Sequence, residues 1–204
     1  MAGNSRLTGK NLTVALKMLK EITTILEKKN IWYCLDGGTL LGIVRENRLL
    51  PWDNDLDTFV TKDEYKKVAS LTWKFRLRGY WVAVRRHKQD MPPFRKGDPR
   101  AVKIRNRRYR LFAGPVCLDI FIKYREGDNY CWREGGREKN VKKSVPAHFF
   151  SKVVQREFDG KKYWIPAAYD EYLTYRYKNW RKPVKKWNNL EDDHAIIKDA
   201  VFAP

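Results

Sequence analysis

Acidic residues are in short supply in this chain: 24 Asp and Glu stand against 43 Lys and Arg in 204 residues, a formal net charge of +19. Such an excess excludes a self-balanced surface and implies an anionic partner or surface. Cysteine is scarce as well. Cys34, Cys117 and Cys131 are odd in number, far apart and without a C-x-x-C. That pattern excludes a disulfide framework and a zinc ribbon and leaves them as buried apolar fillers. His87, His148 and His194 are widely separated with no ligand partners at zinc spacing, so no zinc site is assigned. No stretch approaches the roughly 18 apolar residues that span a bilayer. The opening MAGNSRLTGK carries no apolar leader core. A cytoplasmic, reducing address is expected.

Apolar residues make up 43% of the chain and aromatics 14%, ample for one well-packed domain over residues 1–204. From Asn11 to about Lys28, Leu12, Leu16, Leu19, Ile22 and Leu26 recur on one helical face, with Ala15 and Ile25 beside them. This helix, 11–28, should pack on the domain. Ile31 to Leu35 reads as a buried strand, Thr39 to Arg45 as a short helix and Leu56 to Val60 as a strand. Thr61-Lys62-Asp63-Glu64 predicts a capping box opening a helix that stops near Gly79. Strands are expected over Tyr80 to Arg86, Ala101 to Arg107 and, most strongly, Val116 to Tyr124, with MPPFRKGDPR a loop. Gly127 to Ser144 reads as a mobile loop. Asp159-Gly160 between Val153 to Phe158 and Lys161 to Ile165 is the signal of a type I′ hairpin. Pro166 ends it, and Ala167 to Lys178 is helix-like. This hairpin and helix, about 152–187, should complete a single α/β or α+β sandwich.

The chemistry concentrates in LDGGTLLGIVRENRLLPWDNDLDTFV, Leu35 to Val60. On a strand, Asp55 and Asp57 point to the same face about 7 Å apart, with Leu56 turned inward. Two carboxylates at that spacing suit magnesium, which takes oxygen ligands and is commonly shared with substrate phosphates. Asp119 is the candidate third carboxylate, because it is the only acid in the apolar run VCLDIFI and a buried charge needs a partner. Gly37 and Gly38 permit a sharp turn into the following helix, leaving amides and the positive helix end to receive a phosphate. Thr39 can add a hydroxyl there and Arg45 a charge. Asp53 can cap the Pro-Trp turn, Asp36 can bond the glycine turn, and Trp52 reads as a packing anchor rather than a base-stacking ring. In the tail, Tyr163, Trp164, Tyr169, Tyr172, Trp180 and Trp187 read as core. Neither a Gly-Gly pair nor a D-x-D is specific alone; their order and their elements make them so.

GGTLLG, then Arg45, then PWDNDLD, then CLDIFI, resembles the LicD family, which includes the fukutin-related proteins and belongs to the nucleotidyltransferase-fold superfamily. VKI at Val102 to Ile104 and REFDGKKYWIPAAYDEYLTYRYKNWRKP are similar to its later blocks, so the likeness runs from about Trp32 to Pro183. Two positions depart from it: Asn54 stands where the family commonly has Asp, facing away from the metal, and Tyr175-Arg176-Tyr177 where it often has Tyr-Gly. The resemblance implies a mixed sheet flanked by helices and a phosphotransferase that moves phosphocholine or an alditol phosphate from a CDP-linked donor to a glycan or glycolipid hydroxyl, releasing CMP. It implies Mg2+ or Mn2+ on Asp55, Asp57 and Asp119. Gly37, Gly38, Thr39, Arg45 and Lys103 are the candidate donor-binding residues. Both a proton-accepting and a purely metal-binding role are compatible with Asp119, and Arg105 alternates with Lys103 toward the phosphates or toward solvent.

Two competing functions have distinct signatures. A nucleotidyltransferase acting on RNA, protein or a small molecule would release pyrophosphate from a nucleoside triphosphate. A non-catalytic basic module binding nucleic acid or an anionic membrane would not need Asp55. Between Lys74 and Arg110, fourteen Lys or Arg stand against two Asp, a net of +12 from the whole chain's +19. This block is expected to steer an anionic acceptor or to touch a membrane peripherally, with nucleic acid the less favoured partner.

Overall fold

The computed structural model describes residues 6–108, 112–135, 140–184 and 187–202. Helix α1 (Gly9–Glu27) buries Ala15, Met18, Leu19, Ile22, Thr23 and Leu26. The stripe is thus rotated slightly from the expected one, with Leu12, Leu16 and Ile25 at its margin. The short strand β1 (Cys34–Leu35) leads into α2 (Gly37–Glu46), which ends at Asn47 in the left-handed conformation. Strand β2 (Asp55–Thr61) follows, then two short helices, α3 (Tyr65–Ser70) and α4 (Thr72–Leu77), and β3 (Trp81–Arg86). Next come β4 (Pro99–Arg108), β5 (Phe112–Glu126), β6 (Asn129–Gly135), β7 (Asn140–Pro146) and a 3-10 turn, Ala147–Phe150. The hairpin β8 (Val153–Phe158) and β9 (Lys161–Pro166), helix α5 (Tyr169–Tyr177) and β10 (Ile196–Phe202) complete the order.

Strand β5 is the spine of a mixed sheet. Its first two thirds run parallel to β2 on one side and antiparallel to β4 on the other, and its last residues pair with β6. Strands β1 and β3 flank this part, while β7 and β10 extend the other end. With β2 and β5 covered on both faces, their side chains are almost continuously buried from Val116 to Tyr124, as expected of interior strands. Helix α1 packs against β5 and β2, and β8 and β9 form a separate two-stranded ribbon. Its turn residues Asp159 and Gly160 both have positive φ, +48° and +68°, which is what a type I′ turn requires.

Four expectations are corrected. The expected mobile loop over Gly127 to Ser144 is largely strand: Gly127 and Asp128 turn from β5 into β6, 129–135 and 140–144 belong to the paired strands β6 and β7, and 136–139 lie outside the described residues. Cys131, Trp132, Val141 and Val145 are buried there, and so are the charged Arg133, Lys142 and Lys143. The Thr61–Glu64 capping box does not form, because Thr61 closes β2 and Glu64 pairs instead with Lys67 at 2.9 Å. The helix beyond is broken in two at Leu71, and only Cys34 and Leu35 of the run from Ile31 join the sheet. Cys34, Cys117 and Cys131 are free and buried, yet Cys117 and Cys131 point their thiols at the carboxylates of Asp119 and Glu126.

Candidate active site

Register places the acids. Asp57 on β2 lies opposite Asp119 on β5, and Asp119 opposite Lys103 on β4. Residues in register on adjacent strands share a face, so the three side chains form a row across three strands, with Asp55 two residues before Asp57. Leu56 and Leu118 between them are fully buried on the opposite side. Asp119 is only 3% exposed, and its charge is met by the Lys103 ammonium and by the Cys117 thiol at 3.2 Å.

The glycine turn sits directly above β2. Asp36 caps α2, its Oδ1 accepting from the Gly37 amide at 2.8 Å, and Gly37 adopts φ +52°. The Gly38 amide donates to Asp57 Oδ2 at 3.3 Å. A Cβ on Gly37 would collide with Asp57 Oδ2, and one on Gly38 with Asp53 Oδ2. Glycine is needed here because the carboxylates occupy the space a side chain would fill. Both amides that the sequence offers to a phosphate are therefore engaged by carboxylates. Thr39 is 2% exposed and lies beneath the turn, its hydroxyl accepting from the Asp57 amide at 2.8 Å. It holds the strand to the helix and is not part of the cavity wall.

These residues open onto a cavity of about 1110 Å³. Gly37, Gly38, Asp53, Asp55, Asp57 and Asp119 line one side, and Arg85, Arg100 and Lys103 bring positive charge. Residues from Arg176 to Asp192 form another wall. Arg45 reaches the cavity but is tied to Glu46 and to the Trp180 carbonyl at 3.1 Å. Its guanidinium lies 6.0 Å from the centre of the Trp52 ring. Trp52 is 51% exposed, so it is a rim residue and not the packing anchor its Pro-Trp context suggests. Asn54 also borders the cavity. Arg105, which the sequence leaves between the phosphates and solvent, turns toward the Pro115 carbonyl, next to a bulge in the β4–β5 ladder, and does not line the cavity. Of the aromatic tail, Tyr163, Tyr172 and Trp180 are buried as expected, whereas Trp187 is exposed on the cavity wall.

Burial and mutual repulsion raise the acids. Asp53 is pushed up to about 6 by burial. Asp55 is pushed up to about 8 by burial and then by Asp53 and Asp119, and Asp57 is raised well above the carboxylate range by burial, Asp55 and Asp53. Hard oxygen donors whose ionisation is opposed by burial and by one another are a chemical match for a divalent cation, which would favour their charged forms. Among the described residues, however, no three Asp, Glu, His or Cys side chains already form a ligating cluster. Asp53, Asp55 and Asp57 border the same cavity, and Asp119 shares the face of Asp55 and Asp57 but is held by Lys103.

The sequence reading missed the buried charge network behind the turn. Lys123, wholly buried and surrounded by the rings of Phe59, Trp132 and Phe150 at 3.9, 4.3 and 4.7 Å, binds Asp36 at 2.8 Å. Arg176 binds both Asp36 and Asp193, and Lys143 joins Asp193 to Glu134. The only signal in the sequence is a lysine inside the apolar run CLDIFIKY, which needs a buried partner for the same reason as Asp119.

A family model described as LicD/FKTN/FKRP, nucleotidyltransferase domain, matches residues 30–168. The chain belongs to this family. Over 179 residues, 85% of this chain and 34% of the relative, it is 27% identical to the human ribitol-5-phosphate transferase FKTN. Over 58 residues, 28% of this chain and 22% of the relative, it is 39% identical to the lipopolysaccharide cholinephosphotransferase LicD of Haemophilus influenzae. An uncharacterized protein of Rickettsia prowazekii is 27% identical over 145 residues, 71% of this chain and 45% of that one. The chain thus spans less than half the length of these curated relatives. Among solved structures, ANT(2″)-Ia in complex with adenylyl-2″-tobramycin aligns with 78% of this chain and 74% of its own, at 12% identity and a TM-score of 0.44. Among the described residues, no helix is long and apolar enough to cross a membrane.

Proposed function

We propose that the chain is a metal-dependent phosphotransferase that moves a phospho-alcohol group, phosphocholine or an alditol phosphate, from a CDP-linked donor to a glycan hydroxyl and releases CMP. One observation carries the reading: Asp55 and Asp57 face a large cavity beside Asp119 and Lys103, under a glycine turn and within reach of Arg85 and Arg100. The named activities of the LicD and FKTN relatives, both transferases of a phospho-alcohol, support it.

In this reading Asp55 and Asp57 would hold magnesium or manganese, with Asp119 beside them, and the ion would supply positive charge to the donor pyrophosphate and to the departing CMP. Lys103, Arg85 and Arg100 bind the phosphate oxygens. The acceptor oxygen forms the new P–O bond, the bond to CMP breaks, and the hydroxyl proton passes to a carboxylate, a role we assign to Asp119. Little covalent chemistry falls to the protein; placing the hydroxyl in line is the larger task.

The test is to incubate the protein with magnesium and a panel of CDP-linked donors and to measure CMP. Release that EDTA abolishes and Asp57→Asn removes is the expected result. Pyrophosphate from a nucleoside triphosphate, with no CMP from any CDP-linked donor, would replace this reading with a nucleotidyl transfer.

A further inference from the structure

Away from the cavity, helix α4 presents two large apolar side chains to solvent. Trp73 is 54% exposed and Leu77, one turn later, 76%. Residues four apart lie on the same helix face, while Phe75 between them is fully buried. The end of α1 comes to the same place: Lys29 approaches Lys74, and Lys74 Nζ lies 5.4 Å from the centre of the Trp73 ring. Lys29 is exposed, as is Arg78, which directly follows Leu77 in the chain. No carboxylate pairs with Lys29 or Lys74 among the described residues.

We propose that this patch docks the protein on an anionic lipid bilayer, with Trp73 and Leu77 entering the interface and Lys29, Lys74 and Arg78 facing the headgroups. An exposed apolar pair rimmed by cations is the composition of an interfacial surface, because the apolar groups gain from the acyl boundary and the ammonium groups from anionic headgroups. Two like charges held side by side without a carboxylate are complementary to a negatively charged plane. A nucleic acid would engage the same cations and could stack on Trp73, but it gives Leu77, the most exposed of the large apolar side chains described, nothing to bury against. The patch is independent of the reaction assigned to the cavity.

Co-sedimentation with phosphatidylcholine vesicles, with and without phosphatidylglycerol, tests the proposal using the full chain. The protein should pellet with the anionic vesicles and not with phosphatidylcholine alone. Lys29→Glu/Lys74→Glu and, separately, Trp73→Ser/Leu77→Ser should each weaken that binding at least tenfold with an unchanged thermal melting temperature, since all four positions are at the surface. No binding to anionic vesicles, equal binding to neutral ones, or loss in the charge variant alone would overturn it. So would binding of a short RNA that is lost in the charge variant while vesicle binding is not.

Discussion

Arg176 Nη1 donates to Asp36 Oδ1 at 3.1 Å, although the two residues lie 140 positions apart and neither is more than 3% exposed. Asp36 is the cap of α2, so the pair ties the glycine turn over the acids to α5 and, through Asp193, to the segment that walls the cavity. Burial alone would raise Asp36 and Asp193; the cations of Lys123, Arg176 and Lys143 overcome it and hold both carboxylates below their usual range. Removing one member strands a buried charge, which costs far more than deleting a surface pair. Arg176→Met is expected to destabilise the protein by about 3 to 5 kcal/mol, measured as a shift of the urea midpoint. A cost below about 1 kcal/mol, the range of exposed pairs, would show that the network is not a structural clamp.

The same network has a pH signature. A carboxylate whose folded pKa is depressed contributes stability that is present above its unfolded value and is lost as pH falls through the folded one. For Asp36 and Asp193 that loss lies below about pH 4, beneath the ordinary carboxylate value. In Asp193→Asn the denaturation midpoint between about pH 2 and 4 should fall less steeply with acidity than in the unaltered protein, from a lower starting stability.

At milder acidity His87 takes over. It is 3% exposed, stacked on Phe94 with ring centres 4.4 Å apart, and neither ring nitrogen has a hydrogen-bond partner among the described residues. Burial first, then the cations of Arg100 and Arg133, push it down to about 4. Its unfolded value is near 6.5, so the unfolded chain takes up the proton first, and stability declines as pH drops from about 6.5 to about 4, by up to about 3 kcal/mol. His87→Phe should flatten the melting temperature across that interval. An equally steep decline in the variant would assign the sensitivity to another group.

How far the sequence carries depends on where the deciding interactions lie. The glycine turn, the β2 acids and the β8–β9 hairpin are local: Asp159-Gly160 needs only its own φ angles, and Asp55 and Asp57 share a face by strand period alone. Asp119 is legible because a lone acid in an apolar strand is conspicuous. Lys123 obeys the same rule, but its partner Asp36 is far away in the chain, on another element, and no local pattern connects them. Strands β6 and β7 are hidden because Arg133, Lys142 and Lys143 make them look polar, although those side chains are buried in the fold. Thr61 fails as a cap because strand pairing with Lys123 claims it first. The occupied glycine amides and the Lys103–Asp119 pair are invisible to any pattern, since they depend on side-chain positions across several elements.

Trp52 distinguishes a rim from a core. At 51% exposure its truncation should cost little stability, whereas a buried Trp would cost about 3 to 5 kcal/mol. If the donor's base or alcohol rests on this ring beside Arg45, Trp52→Ala should raise the donor KM several-fold while leaving kcat and the melting temperature nearly unchanged. A large stability loss would restore the packing role inferred from the Pro-Trp turn.

Gly38 gives the most selective test of the turn above the acids. Unlike Gly37, whose φ of +52° makes any side chain strained, Gly38 is not among the positive-φ residues, so its requirement for glycine comes from space alone. Asp53 Oδ2 occupies the place that a methyl group on Gly38 would take. A carboxylate can swing aside at small energetic cost, so Gly38→Ala should stay folded, within about 1 kcal/mol. What it displaces is the acid beside Asp55 and Asp57. Misplacing groups at a reaction centre by about 1 Å can lower rates about a hundredfold, so under the proposed function a fall in CMP release of that order is expected. Gly37→Ala should lose both activity and stability, because it adds backbone strain to a clash with Asp57 Oδ2. Parallel measurement of CMP release and urea unfolding on the two variants separates the contributions. If Gly38→Ala kept full activity, the acids would not need the positions in which the turn holds them, and the case for Asp53 as part of the site would fall with it.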